Sequence, residues 1–232
     1  MNEVWFSASY FNSVFVGEMP PPTLESCFGR DKIIERVIGL AEDLKSIALI
    51  GAGGIGKMSI ALSVLHHPRI EAQFGHERRF IRCDEFPALR VHFLSRLSKV
   101  IGAAVENPDS LAPLRPSLSS KKMLIIVDNV ESVVDPQGPN AQEIYDIIHQ
   151  LCQIKTVCLL ITSRIKTVPP RCARLEIPTL SMEAACEIFY DIYGDHDGRS
   201  DTINDLLRRL DFHALSITLL ATAALHNDWS YS

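Results

Sequence analysis

From residue 30 onward, apolar positions along the chain alternate between two textures. Short unbroken apolar runs stop at glycine or polar clusters, and longer stretches place apolar residues three and four apart. The first texture fits a strand buried on both faces, the second an amphipathic helix. "RDKIIERVIGLAEDL" sets Ile33, Ile34, Val37, Ile38, Ala41 and Leu44 on one helical stripe. "SIALI" (46–50) is a strand that runs into a glycine-rich segment, and "KMSIALSVLHH" continues as a helix. A strand at "RRFIRC", a helix at "ALRVHFLSRLSKVI" and a strand at "KMLIIV" follow. Asn140 with Glu143 makes a capping box that opens a helix carrying Ile144, Ile147, Ile148 and Leu151. "TVCLLIT" (156–162) and "ARLEI" (173–177) are two further strands.

Apolar strands separated by helices predict a parallel sheet of about five strands with helices on both faces, a three-layer α/β fold. After residue 180 the strands stop. "SMEAACEIFYDIY" opens with an N-cap at Ser181, "TINDLLRRL" carries Ile203, Leu206, Leu207 and Leu210, and a last helix spans 214–225. The expected division is therefore an α/β unit over 27–179 and a small helical subdomain over 180–232. Residues 1–26 read as a leader or arm, rich in aromatics ("VWFSASYFNSVFV") and carrying Pro20, Pro21 and Pro22.

The net charge of −5 and pI of about 5.9 oppose sequence-independent nucleic-acid binding, which needs surplus Lys and Arg against phosphate. Arg78, Arg79 and Arg82 cluster locally, and a solvated face is the expectation for them. Six cysteines (Cys27, Cys83, Cys152, Cys158, Cys172, Cys186) show neither C-x-x-C nor metal-ligand spacing. They read as reduced, buried thiols of a cytoplasmic protein. The N-terminus lacks the positive region of a secretory signal, and no uncharged apolar run reaches the ~18 residues of a membrane span.

The chemistry concentrates at "IGAGGIGKMS" (50–59). Gly51, Gly56 and Lys57 meet the pattern G-x-x-x-x-G-K-[ST] of a phosphate-binding loop, and Met58 breaks it. A strand–glycine loop–helix unit presents unpaired backbone N–H groups at a helix N-terminus, an anion site. Gly51, Gly53, Gly54 and Gly56, with Ile55 between them, would let the backbone wrap a phosphate, and Lys57 would add a point charge. A bare G-x-x-x-x-G-K arises by chance in roughly one chain of this length in ten or twenty. The preceding strand and following helix therefore matter more than the letters. "GAGGIG" also fits G-x-G-x-x-G, a dinucleotide fingerprint and hence an NAD-dependent oxidoreductase. That fold wants an acidic residue ending the second strand about 20 positions on. Glu71 lies in a polar stretch and Asp84 comes late, so this reading ranks second.

"KMLIIVDNVE" favours the phosphate loop. An apolar strand ending in Asp128 is a Walker B arrangement, which would orient Mg2+ through water. Asn129 cannot act as a base, and Glu131 could do so only if its loop turned it inward. "CLLITSRIK" ends in Thr162, Ser163 and Arg164 at the strand edge where open parallel sheets bind ligands. Arg164 is either a contact to a terminal phosphate or a solvent-facing loop arginine.

These motifs in this order resemble the STAND class of P-loop NTPases, the NB-ARC and NACHT-like switch domains, over roughly residues 27–228. "CFGRD" (27–31) resembles the family's h-h-G-R-[DE] element, which implies that Phe28, Gly29 and Arg30 lie against the adenine. "LIIVDN" is similar to its Walker B strand and "ITSR" to its arginine sensor strand. "LDFHALSITLLA" resembles its L-x-G-L-P-L-A segment with His213 and Ala214 in place of Leu-Pro, a variant most like NLR-type proteins of filamentous and mushroom-forming fungi. His213 either stands near the base or is a helix-start histidine satisfied within its own turn. The resemblance implies an adenine-nucleotide switch, with ADP holding a closed state and ATP driving opening and homo- or hetero-oligomerisation. The family's winged-helix and repeat-sensor regions usually follow, so a chain ending at Ser232 would be a truncated paralogue, a decoy or an incomplete gene model.

Met58 replaces the hydroxyl that holds magnesium. Ser59 is rotated by about 100° along the helix, and the resemblance assigns the second hydroxyl to the α-phosphate. A thioether is a poor ligand for a hard, oxygen-seeking cation. The expectation is a module that binds ADP or ATP with weakened Mg2+ binding and weak or absent hydrolysis. The alternative is a slow Mg-ATPase in which Asp128 and water replace the missing ligand.

Overall fold

Three strands carry the same two-sided pattern, and it fixes where everything else sits. In β1 (Ile47–Ile50), β3 (Met123–Asp128) and β4 (Val157–Ser163) every residue is buried. Ala48, Ile50, Ile125, Val127, Leu159 and Ile161 point into one core, and Ile47, Leu49, Leu124, Ile126, Cys158 and Leu160 into the other. Alternation at a period of two with apolar residues on both sides is what a sheet sandwiched between helices requires. The computed structural model describes residues 21–22, 27–103, 105–106, 108–134, 141–194 and 200–227.

The sheet has five strands in the order β2-β3-β4-β1-β5, with β2 at Arg78–Arg82 and β5 at Ala173–Glu176, and every pairing is parallel. Helices α1 (Asp31–Glu42), α2 (Lys57–Leu65) and α3 (Pro68–Phe74) supply the core on one face. Helices α4 (Arg90–Ile101), α5 (Arg115–Ser119), α6 (Glu131–Val134) and α7 (Ala141–Leu151) supply the other. The parallel α/β architecture read from the sequence is the one observed.

The order also carries a correction. β2 lies at the sheet edge, separated from β1 by β3 and β4. A dinucleotide fold seats its second strand beside the first, so that an acid ending it reaches the ribose. Asp84, just beyond β2, is therefore two strands removed from the glycine loop, and G-x-G-x-x-G here has no matching acid.

Other differences are local. The helix expected to run through His67 stops at Leu65, and α3 begins at Pro68. Proline suits the first helical position, where its missing N–H costs nothing. His67 caps this helix by accepting from the Arg69 N–H at 3.3 Å. Beyond Asp128, where the sequence predicts a loop, a turn at Asn129 leads into the short α6. Asn140 of the proposed capping box and the aromatic leader through Pro20 lie outside the described residues. Arg78, Arg79 and Arg82 are not simply solvated, since each pairs with a nearby acid, Glu71, Glu77 and Asp84 respectively.

Beyond β5 the chain is helical, with α8 (Met182–Tyr193), α9 (Asp201–Arg209) and α10 (Ala214–His226) around Phe189, Tyr190, Ile203, Leu207, Ile217 and Ala221. Ser181 caps α8, accepting from the Ala184 N–H at 3.2 Å. The turn into α10 holds Asp211 and Phe212 at φ +50° and +53°. Phe212 stands at the glycine position of the L-x-G-L-P-L-A pattern, and a non-glycine residue in the left-handed region costs about 1–2 kcal/mol. The Phe212 carbonyl repays part of this by accepting from the Leu180 N–H at 3.1 Å.

Leu160 lies at the centre of β4 with no exposed surface. Leu160→Ala is expected to cost about 2–5 kcal/mol. Urea titration should show a lower midpoint at unchanged slope, the mark of a stability loss without a change in the unfolding transition.

Candidate functional site

The C-terminal edge of the sheet gathers the predicted chemistry in one row. β3 ends at Asp128, β4 at Ser163 with Arg164 following, and β1 delivers Gly51, whose N–H donates to the Ser163 carbonyl at 3.2 Å. Between Gly51 and Lys57 the backbone turns through Gly54 (φ +73°) and Gly56 (φ +102°), conformations that side chains rarely adopt.

The orientation of this loop is set by its carbonyl oxygens, each of which accepts a hydrogen bond. Lys57 Nζ donates to Gly51 O at 2.7 Å and to Ala52 O at 2.8 Å. His213 Nε2 lies 2.8 Å from Gly53 O. A carbonyl cannot donate, so Nε2 carries the proton, while Nδ1 lies 3.1 Å from Ser216 Oγ. The Leu215 N–H donates to Gly54 O at 3.1 Å, and the Arg30 guanidinium to Ile55 O at 3.0 Å. The Ile60 N–H closes the series on Gly56 O at 3.1 Å, as the first bond of α2. The N–H groups of Lys57, Met58 and Ser59 therefore have no partner within the helix they begin.

Each sequence-predicted residue has a definite place. Arg30 is buried, and its role in the structure is to strut the loop through Ile55. Burial pulls its guanidinium below the ordinary range. Phe28 packs on the α8–α10 core, and a Cβ on Gly29 (φ +65°) would come within 2.4 Å of the Ala184 Cβ, so α8 closes on this turn directly. Burial also pulls the Lys57 ammonium down, opposed by the negative charges of Glu131 and Asp128. His213 occupies the N-cap position of α10 and reaches the loop, so both of its nitrogens are engaged. Gly54 leaves no room for a side chain beneath α10, because a Cβ there would lie 2.7 Å from the Leu215 Cβ.

Asp128 is buried beside Thr162, whose hydroxyl donates to Oδ1 at 2.5 Å. Burial raises its pKa, and the Thr162 hydrogen bond opposes the rise. Asn129 turns the chain at φ +60° and donates its N–H to the same Thr162 oxygen at 2.9 Å. That turn begins α6 at Glu131 and brings its carboxylate inward. Glu131 Oε2 accepts from the Arg164 N–H at 3.2 Å, and Oε1 lies 3.2 Å from Arg164 Nε, off line for a hydrogen bond. Arg164 is 62% exposed, yet its guanidinium crosses above the loop, since a Cβ on Gly53 would stand 3.1 Å from Cζ.

Met58 is partly buried against the α1–α2 core rather than across the loop, and Ser59 is partly exposed. The donor set suits a phosphate group, with loop carbonyls already satisfied, left-handed glycines and a lysine at the helix start. It suits magnesium poorly, since Met58 offers no oxygen and one oxygen of Asp128 already accepts from Thr162. Sequence reasoning missed three contributors: Thr162 as the partner of Asp128, the Leu215 N–H, and Glu131 as the ion-pair partner of Arg164. A backbone donor leaves no trace in residue type. Thr162 and Glu131 were visible as polar residues at strand ends, but their pairing depends on the β3–β4 register.

Among the described residues no cluster of three or more His, Cys, Asp or Glu could hold a metal ion, and no helix is long and apolar enough to cross a membrane. The fold is similar to the Walker-type ATPase PABY2304 of Pyrococcus abyssi, with a TM-score of 0.68 at 13% identity over 91% of this chain and 71% of that one. It is also similar to PH0952 from Pyrococcus horikoshii, a Signal Transduction ATPase with Numerous Domains (STAND) protein with a tetratricopeptide repeat sensor. There the TM-score is 0.58 at 15% identity over 94% of this chain, which spans only 35% of that protein. The Aeropyrum pernix ORC1 protein, solved in complex with DNA, gives a TM-score of 0.63 at 16% identity over 88% of this chain and 62% of its own. No curated protein matches the sequence. A family model described as "Novel STAND NTPase 1" matches residues 23–186, well over half of the chain and all of the sheet with its glycine loop, so this chain belongs to the STAND NTPases.

Proposed function

We propose that the chain is an ADP- or ATP-binding switch module in which the loop from Gly51 to Ser59 grips the phosphates and hydrolysis is weak or absent. The observation that supports this most is the unbroken series of satisfied carbonyls from Gly51 to Gly56. With these carbonyls satisfied by the protein and the Ile55 N–H turned back on Ala52 O at 3.4 Å, the other loop N–H groups and those of Lys57, Met58 and Ser59 are the donors left for a diphosphate. Lys57 uses two of its three donors on the loop and has the third for a phosphate oxygen. The domain division follows the same reading, with the nucleotide unit over 27–179 and the helices of 180–232 as a lid. Phe28 and Gly29 would then lie near the adenine, with Arg30 beneath the loop.

Magnesium, when bound, would neutralise charge on the terminal phosphates, but the residues present do not make an ordinary site for it. ADP binding leans instead on backbone N–H groups and Lys57, which Met58 leaves intact. The switch would run through α10. His213 and the Leu215 N–H hold Gly53 and Gly54, so displacement of this helix would free two loop carbonyls at once. Arg164 would meet a terminal phosphate only after loosening from Glu131, which makes the Glu131–Arg164 pair a sensor of the third phosphate rather than a base at work. The NB-ARC/NACHT affinity, nucleotide-linked oligomerisation and a cytoplasmic location belong to the same proposal, supported by the motif resemblance.

Calorimetry with ADP, ATP and NAD, with and without magnesium, tests the reading. ADP should bind at one site per chain with little magnesium dependence, and tight NAD binding without ADP binding would overturn it. Met58→Thr should make ATP affinity magnesium-dependent and turn a baseline phosphate-release assay into measurable slow turnover. An unchanged magnesium response in that variant would contradict the account of the loop. Glu131→Gln should tighten ATP by up to about fivefold, the worth of an ion pair whose arginine is exposed, and leave ADP unchanged. Equal shifts for both nucleotides would show that Arg164 does not read the third phosphate.

A further inference from the structure

The sequence scatters the cysteines, but the fold brings two of them together. Cys152 follows the last turn of α7, and Cys172 immediately precedes β5, with Sγ atoms 3.5 Å apart. Cys152 is partly exposed and Cys172 buried, and among the described residues no disulfide is formed. The segment between Arg164 and Cys172 returns from the top of β4 to the foot of β5 along α7. It is held there by a second contact, from the Tyr145 hydroxyl to the Val168 carbonyl at 3.4 Å.

We propose that Cys152 and Cys172 form a redox-active dithiol that a peroxide oxidises reversibly to a disulfide, tying the end of α7 to the start of β5. A disulfide needs the sulfurs at about 2.05 Å, so they must close by roughly 1.5 Å, a distance that side-chain rotation at two cysteines can supply. Cys152 is the attacking sulfur because it is the accessible member of the pair. The hydrogen bond from Cys172 also holds the Cys152 thiol below its ordinary range, while that bond and burial push Cys172 up.

The chemistry balances in two steps. The Cys152 sulfur attacks one oxygen of hydrogen peroxide, the O–O bond breaks, and the released hydroxide leaves as water with the thiol proton, giving a sulfenic acid. The Cys172 sulfur then attacks the sulfenic sulfur, the S–O bond breaks, and the hydroxyl leaves with the Cys172 proton as a second water. Two thiols lose two electrons and two protons, and one peroxide becomes two waters. Thiol–disulfide exchange with a small dithiol reverses the reaction.

Two other thiols, Cys158 and Cys83, differ in kind. Cys158 is fully buried, donates to the Lys45 carbonyl at 3.2 Å and is pushed up to about 12 by burial. Cys83 is fully buried, which pushes its thiol well up, and the charge of Asp128 adds to the rise. The pair lies at the opposite end of the sheet from the glycine loop. Ala173, next to Cys172, bonds to Ser46 at the entry of β1, whereas Gly51 leaves its exit. The disulfide should therefore stabilise the fold without changing nucleotide affinity.

The test treats the full chain with hydrogen peroxide, blocks remaining thiols by alkylation, and maps tryptic peptides without reduction. The expected product is a disulfide joining the peptide 123–155 to 172–174, lost on adding dithiothreitol, with a melting temperature higher by on the order of 5 °C before reduction. Cys158→Ser should form the same linked pair. Cys172→Ser should carry Cys152 on to sulfinic acid, because the resolving thiol is gone. The proposal is overturned if peroxide leaves both thiols open to alkylation, if Cys152 becomes sulfinic acid in the unsubstituted chain without linking, or if Cys158 takes the place of either partner.

Discussion

The candidate site depends on one constraint: consecutive carbonyl oxygens of a glycine-rich loop cannot all be buried or crowded without donors. A lost partner costs roughly 1–3 kcal/mol where the group is out of water, as at buried Ile55, and less at exposed Ala52 and Gly54. Here the donors arrive from three separated parts of the chain: Arg30 ahead of α1, Lys57 and Ile60 in α2, and His213 and Leu215 at the start of α10. The loop can take its shape only when those elements are in place. The shape of the loop is thus a property of the tertiary fold rather than of the glycines alone.

The same dependence links the loop to the helices beyond β5. Gly54 has no side chain because Leu215 fills that space, and Gly29 has none because Ala184 does. Both contacts join the sheet unit to α8 and α10 by close packing that a single methyl group would disturb. The strained turn at Asp211 and Phe212 directs α10 toward the loop, and the bond from the Leu180 N–H to Phe212 O fixes that turn to the approach of α8. A helix held by two loop carbonyls and one tight packing contact is an element whose position and whose ligand can bias each other.

Much of the fold was legible in the sequence because buried parallel strands are unbroken apolar runs punctuated by glycine or carboxylate. β1, β3 and β4 stood out for that reason, and their polar ends located Asp128 and Arg164. What escaped was whatever depends on register or on distant partners. α3 was hidden because "RIEAQF" is short and polar, with Ile70 and Phe74 as its only buried residues. Glu131 looked like a loop residue because α6 is a single turn stabilised by packing. The bond from Arg30 to the Ile55 carbonyl also left no trace in residue type, although a buried guanidinium needs an acceptor wherever it lies. The Cys152–Cys172 pair was invisible because the two lie 20 positions apart with all of β4 between them.

Hydrogen–deuterium exchange across residues 51–59, with and without saturating ADP, tests most directly whether this loop is a phosphate grip. The N–H groups of Lys57, Met58 and Ser59 have no partner within α2, so they should exchange readily in the free protein and slow sharply when a diphosphate accepts from them. Exchange at these amides that stays unchanged under saturating ADP and ATP would contradict the account, because a loop that grips nucleotide cannot leave its inward N–H groups open to water.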